Sequence, residues 1–141
     1  MKRGTFARRV LQGLKAPVTL HTRRAFQAWM QAEGGDVRNN PMNTTLHMPG
    51  SSRFNSADVQ NYPSPEVGVE AMIRTLKFKG HGYEKIVSAL RKNKPATEIV
   101  AAIGESDWGT NGKLLSDVLD DIKHGRQPNT LSQLEDRRIA S

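Results

Sequence analysis

The chain predicts an α+β fold, mainly α, in which a small antiparallel sheet interrupts a series of short helices. Three observations carry this. Apolar residues recur at i, i+3, i+4 spacing in several separate stretches, the period of a helix that buries one face. Residues 35–62 abandon that period and are rich in Gly, Asn, Pro, Ser and Thr, the composition of turns joining short strands. Helix start and stop residues bracket the periodic stretches. With 141 residues, 36% of them hydrophobic, the chain suffices for one domain with a core.

Residues 1–16 allow a basic amphipathic helix with Phe6, Val10 and Leu14 at i, i+4, i+8. Pro17 separates it from a helix expected over about 22–34, where Phe26, Trp29 and Met30 form the buried stripe and Gly34-Gly35 ends it. Asn39-Asn40-Pro41 and Met48-Pro49-Gly50-Ser51-Ser52 are turn signals. Residues 42–47 between them read as a short strand, with 54–56 and 59–62 as its antiparallel partners. Ser64-Pro65-Glu66 is a helix start: an N-cap, Pro at the first helical position, then an acid in the first turn. Val69, Met72, Ile73 and Leu76 continue that helix until Gly80-His81-Gly82 breaks it. Ile86, Val87 and Leu90 mark the next, and Pro95 opens another bearing Ile99, Val100 and Ile103. Residues 104–110 read as a loop holding Trp108. Leu115, Val118, Leu119 and Ile122 mark the last core helix, closed by Lys123, His124 and Gly125. Residues 126–141 form a polar tail with a short helical pattern at 131–139. The expected organisation is a basic arm over 1–21, a domain over 22–125 and the tail over 126–141.

Composition excludes several function classes. There is no cysteine, which removes thiol nucleophiles, thiolate metal ligands and disulfides. His21, His47, His81 and His124 show no ligand spacing, so no metal or cofactor is expected. No run of 18 apolar residues occurs, so no membrane span is expected. Met1-Lys2-Arg3 begins like a signal peptide, but Arg8, Arg9 and Lys15 break the apolar region that should follow, so none is expected. The net charge of +7 arises from 21 Lys and Arg against 14 Asp and Glu. Residues 1–24 hold the whole excess and no acid, which leaves the rest neutral. A duplex-binding face needs cations clustered on the fold itself, so a nucleic-acid partner rests on the arm alone and is not the favoured reading. The arm offers little apolar surface to offset its ordering entropy. It is therefore expected to dock on another chain through an acidic site, with folding back through Phe6, Val10 and Leu14 as the alternative.

Glu33 stands out on the buried stripe. The position seven residues after Phe26 should be apolar, and it is a carboxylate. It falls in the last helical turn, where burial and the negative end of the helix dipole both disfavour its charged form. A carboxylic acid that stays protonated near neutral pH suits the general acid of glycosidic bond cleavage.

The order of helix, terminal carboxylate, small sheet and several short helices resembles the lysozyme superfamily. Ala32-Glu33-Gly34-Gly35 is similar to the Glu-Ser-Gly-Gly turn of lytic transglycosylases and bacterial glucosaminidases, with Gly34 where they usually carry Ser or Thr. Asn39-Asn40-Pro41-Met42-Asn43-Thr44 resembles the segment that begins their small sheet. Phe54-Asn55-Ser56 followed by Tyr62-Pro63-Ser64-Pro65-Glu66-Val67-Gly68 resembles their aromatic strand running into a Ser-Pro-Glu helix start. Tyr83 through Trp108-Gly109-Thr110 is similar to their helical lobe and its closing loop. The likeness spans about residues 22–122 and extends to lysozyme-like domains of bacteriophage tail proteins.

The resemblance implies a two-lobe lysozyme-like fold acting on peptidoglycan, as hydrolase or lytic transglycosylase, with Glu33 as general acid. Many members need no second carboxylate and use the substrate's own acetamido or 6-hydroxyl group. Asp58 is the better candidate should one be required; Asp36 follows Glu33 too closely. Asn43, Thr44 and Thr45, with Tyr83 and Trp108, are the expected substrate-binding residues. A phage setting would place the protein in the virion tail, or in the host cytoplasm before release. The alternative of another class is a structural virion or tail protein that keeps the fold without catalysis and docks through its basic arm.

Overall fold

The computed structural model describes residues 1–35 and 37–125. The expected Asp36 position and the 131–139 helical pattern lie outside them. Among the described residues six helices and one two-stranded antiparallel sheet form in chain order. The helices are α1 (Arg3–Gly13), α2 (Leu20–Glu33), α3 (Pro65–Leu76), α4 (Tyr83–Arg91), α5 (Ala96–Glu105) and α6 (Gly112–Lys123). The strands are β1 (Ser52–Arg53) and β2 (Gln60–Asn61), paired Ser52 to Asn61 and Arg53 to Gln60. The mainly helical α+β class is therefore observed. None of these helices is long and apolar enough to cross a membrane.

Helix α2 is the central element, packed against α1, α5 and α6. Its start is a reciprocal cap: Thr19 Oγ1 accepts from the Thr22 backbone N–H, and Thr22 Oγ1 accepts from the Thr19 N–H. Its end is Gly34 at φ 60°, whose N–H donates to the Met30 carbonyl. That left-handed conformation costs a glycine little, and it turns the chain away just beyond Glu33. Trp29, Phe26, Ala25 and Ala28 of α2 are all but fully buried.

The first helix follows the alternative course, folding back on its own chain through Phe6, Val10 and Leu14, and not the expected course of an arm docked elsewhere. Phe6, Ala7, Val10, Leu11 and Leu14 are all buried in the same core as Trp29 and Met72. Ala7 and Leu11 complete a stripe that Phe6, Val10 and Leu14 only outline, and the fuller stripe buries enough surface to order the segment. Helix α1 lies between α2 and α3, and Arg91 Nε donates to the Leu14 carbonyl at 2.8 Å. The basic side chains occupy the outer face: Arg8 and Arg9 are exposed.

The interval 35–62 also departs from expectation. Residues 42–47 do not form a strand, because Asn43 at φ 57° breaks the extended backbone. The segment still runs beside β2, held by side chains in place of a ladder. Gln60 N–H donates to the Thr44 carbonyl at 3.1 Å. The buried Asn40 amide donates to the Thr44 and Gln60 carbonyls at 2.9 and 2.8 Å. Its oxygen accepts from the Thr44 N–H and hydroxyl at 2.9 and 3.0 Å. Tyr62, 1% exposed, donates its hydroxyl to the Leu46 carbonyl at 2.7 Å. Helix α3 then begins as expected, with the Ser64 hydroxyl accepting from the Val67 N–H. A Cβ on Gly68 would collide with the Asn39 carbonyl oxygen, so glycine lets α3 press against this loop. Helix α5 continues through Glu105 and so takes Gly104 from the expected loop.

Candidate functional site

Glu33 ends α2 half-buried, facing the loop between α5 and α6. Trp108 Nε1 donates to Glu33 Oε1 at 2.8 Å, and Thr110 Oγ1 donates to Oε2 at 3.4 Å. Desolvation pushes the carboxyl above its ordinary value; the hydrogen bonds from Trp108 and Thr110 pull the other way but do not cancel it. On the other side, Asn43 Nδ2 donates to the Glu33 backbone carbonyl at 3.3 Å. One orphan carbonyl at the helix end is thereby satisfied, which ties the loop after residue 42 to the backbone of Glu33.

Residues 106–110 reach Glu33 because of how α5 stops. Ser106 leaves the helix in an extended conformation, its hydroxyl donates to the Ile103 carbonyl, and Trp108 N–H donates to that hydroxyl. Asp107 N–H donates to the His81 carbonyl at 2.8 Å, pinning the loop to the start of α4. Gly109 at φ 90° then turns the chain so that Thr110 also faces the carboxylate. Asn111 caps α6 by accepting from the Leu114 N–H.

An aromatic series backs the site. Trp29 and Trp108 meet edge to face with centroids 4.9 Å apart. Trp108 and Tyr83 are tilted at 5.5 Å, and Tyr83 stacks on His81 at 5.2 Å. Such contacts fix ring orientation beyond what burial alone supplies. They hold the Trp108 N–H aimed at Glu33. Burial, with a smaller contribution from nearby Asp107, raises the Tyr83 phenol, which stays neutral at physiological pH. Trp29 Nε1 is buried with no hydrogen-bond partner among the described residues.

The sequence-derived residues divide into those at Glu33 and those elsewhere. Trp108 touches the carboxylate, Asn43 touches its backbone, and Tyr83 reaches it through Trp108. Thr44 is 3% exposed and bonded to Asn40 and Tyr62; its hydroxyl is an internal strut, a correction to its expected role as a sugar contact. Thr45 is exposed beside it. Asp58 sits at φ 66° on the β1–β2 turn. Its carboxylate is occupied by His47 Nε2 at 2.6 Å, Arg53 Nε at 3.2 Å and Gln60 Nε2 at 3.1 Å. The His47 hydrogen bond, above all, holds it below the usual carboxylate range. Asp58 thus braces the hairpin, and its described contacts do not include Glu33.

Two site residues escaped the sequence reading. Thr110 was visible as the residue following Trp108-Gly109, but its reach to Glu33 depends on the loop turn. His81 looked like part of a glycine break, and its stacking on Tyr83 needs the fold. Among the described residues no cluster of His, Asp or Glu suits a metal ion. Two concavities of about 480 and 420 Å³ lie along α1, sharing Arg3, and neither is bordered by Glu33. Comparison of the chain with protein-family models, curated proteins and solved structures found no match.

Proposed function

We propose that this protein cleaves the glycan strand of peptidoglycan with Glu33 as general acid. The observation that carries the reading is the Glu33 carboxyl itself: half-buried at a helix end, raised above its ordinary value, and oriented by two side-chain donors. Burial and the negative end of the helix dipole both disfavour the carboxylate form, and the two donors only partly offset them, so the group is held toward its protonated form. An acid meant to give up a proton near neutral pH needs to be so held.

In the proposed reaction, Glu33 gives its proton to the glycosidic oxygen as the C1–O bond breaks, and that oxygen keeps the bonding electrons. The anomeric carbon is captured either by water or by the sugar's own 6-hydroxyl. The Glu33 carboxylate takes the proton that this nucleophile loses, which restores the acid. Water gives a reducing end and the 6-hydroxyl an anhydro end. Asp58, engaged by His47, Arg53 and Gln60, supplies no second carboxylate in this scheme. Tyr83 and Trp108 form the wall behind the acid, and His81 extends it toward solvent.

The lysozyme-like kinship and a setting in a phage tail or lysis system are part of the same proposal, resting on the motifs from Ala32 to Thr110. The alternative of a non-catalytic virion protein leaned on a basic arm docked on another chain, whereas the apolar face of α1 packs in this chain's own core, which favours the enzymatic reading. Mass analysis of purified peptidoglycan after incubation tests the proposal. Anhydro or reducing ends that vanish with Glu33→Gln are expected. Intact glycan after incubation with the folded wild-type protein would overturn it.

A further inference from the structure

The two oxygens of Glu33 face unlike partners. Oε1 lies 2.8 Å from Trp108 Nε1, and Oε2 lies 3.4 Å from Thr110 Oγ1. An indole nitrogen can only donate, whereas a hydroxyl donates or accepts. A protonated carboxyl has one oxygen that is purely an acceptor and one that bears the proton. A proton on Oε1 would weaken the shorter hydrogen bond, because an acid's hydroxyl oxygen accepts less well than its carbonyl oxygen. A proton on Oε2 keeps that bond and asks only that the Thr110 hydroxyl reverse from donor to acceptor.

We propose that Trp108 and Thr110 fix where Glu33 is protonated: Oε2 carries the acidic proton, Trp108 holds Oε1 in both charge states, and Thr110 reverses its hydroxyl between them. The placement stands on the contacts alone; that Oε2 delivers the proton to a glycosidic oxygen rests on the function proposed above. Trp108 is then a positioning residue. Its N–H bond strengthens as the carboxylate develops charge, so it favours the state after proton transfer over the state before. The ring contacts with Trp29 and Tyr83 keep that donor aimed, so little reorganisation accompanies the reaction.

The test follows the Glu33 carboxyl by NMR titration of protein carrying carbon-13-labelled glutamate, its signal assigned by loss in Glu33→Gln. Trp108→Phe keeps an aromatic ring and removes the donor, and its titration midpoint is expected above that of the wild type. Thr110→Val is expected to move it the same way, and Thr110→Ser to restore it. The wild-type Trp108 indole proton should stay protected from exchange on both sides of the midpoint. An unchanged midpoint in folded Trp108→Phe, or a Thr110→Ser midpoint equal to that of Thr110→Val, would overturn the proposal. So would loss of indole protection below the wild-type midpoint, a result that needs no variant to fold. Where glycan release is measurable, Trp108→Phe should lower kcat roughly tenfold or more with KM little changed, and the alkaline limb of the rate profile should move to higher pH. A protein that releases no glycan but titrates as described would sink the function and leave the proton placement standing.

Discussion

At the scale of the residue, everything turns on Glu33. Its place on the apolar stripe of α2 is readable from Phe26, Trp29 and Met30, because a helix period fixes which side of the helix a side chain leaves. What holds its carboxyl is not readable. Trp108 and Thr110 are far away in sequence and reach it through a loop turn at Gly109. The substitution Glu33→Gln should lower glycan release by about 10²- to 10⁴-fold, the usual worth of a general acid. The fold should survive, since a Gln can accept from Trp108 and donate to Thr110. Because burial raises the folded-state carboxyl above its unfolded value, the native state binds the proton more tightly. The wild type is then most favoured below the unfolded value and loses stability as pH rises through the folded one. Glu33→Gln removes that loss. Denaturant melts should show the variant gaining on the wild type as pH rises, and a gain confined to acid pH would contradict the sign. Asp58→Asn should leave release near the wild-type rate while loosening the hairpin, since its contacts are to His47, Arg53 and Gln60.

At the scale of the element, local signals did best where they were strongest. Ser64-Pro65-Glu66 starts α3 as its chemistry requires, and the Gly34 stop is found with its left-handed backbone. The interval 35–62 was legible as turns and short strands but not in detail. Residues 42–47 have strand-like composition, yet Asn43 takes a positive φ and the backbone groups nearby are satisfied by Asn40. No period in a sequence announces that a buried amide will stand in for a ladder. Asn40→Ala would strip the Asn40 side chain from the Thr44 N–H and the Gln60 carbonyl, while the Thr44 carbonyl would keep the Gln60 N–H. With each of these two groups costing about 1–3 kcal/mol when left without a partner, the loss should be about 2 kcal/mol or more. Urea melts check this, and a change within about 0.5 kcal/mol, typical of a surface site, would show that the network is not holding the loop. Asn43 should move toward solvent in the same variant, which would weaken its bond to the Glu33 carbonyl.

At the scale of the whole molecule, α1 changes the picture drawn from charge. Five basic residues without an acid over 1–21 read as an arm, and the charge pattern hid the apolar stripe beneath it. Val10, Leu11 and Leu14 are fully buried, so the helix belongs to the same cooperative unit as α2. Leu11→Ala should cost about 2–5 kcal/mol and lower a single unfolding transition; an early separate transition would return α1 to the status of an arm. In the isolated protein the α1 amides should be as protected from hydrogen exchange as those of α2. The end of α2, the loop after α5 and the segment at Asn43 meet at Glu33, and the proposed function depends on what that carboxyl does. The direct measurement is the rate of glycan release from purified peptidoglycan across pH, for the wild type and Glu33→Gln, with both shown folded at each pH. The account predicts release by the wild type that falls as pH rises through the raised Glu33 value, and little release by Glu33→Gln at any pH. Equal release by the two proteins, or none by the wild type, would contradict it.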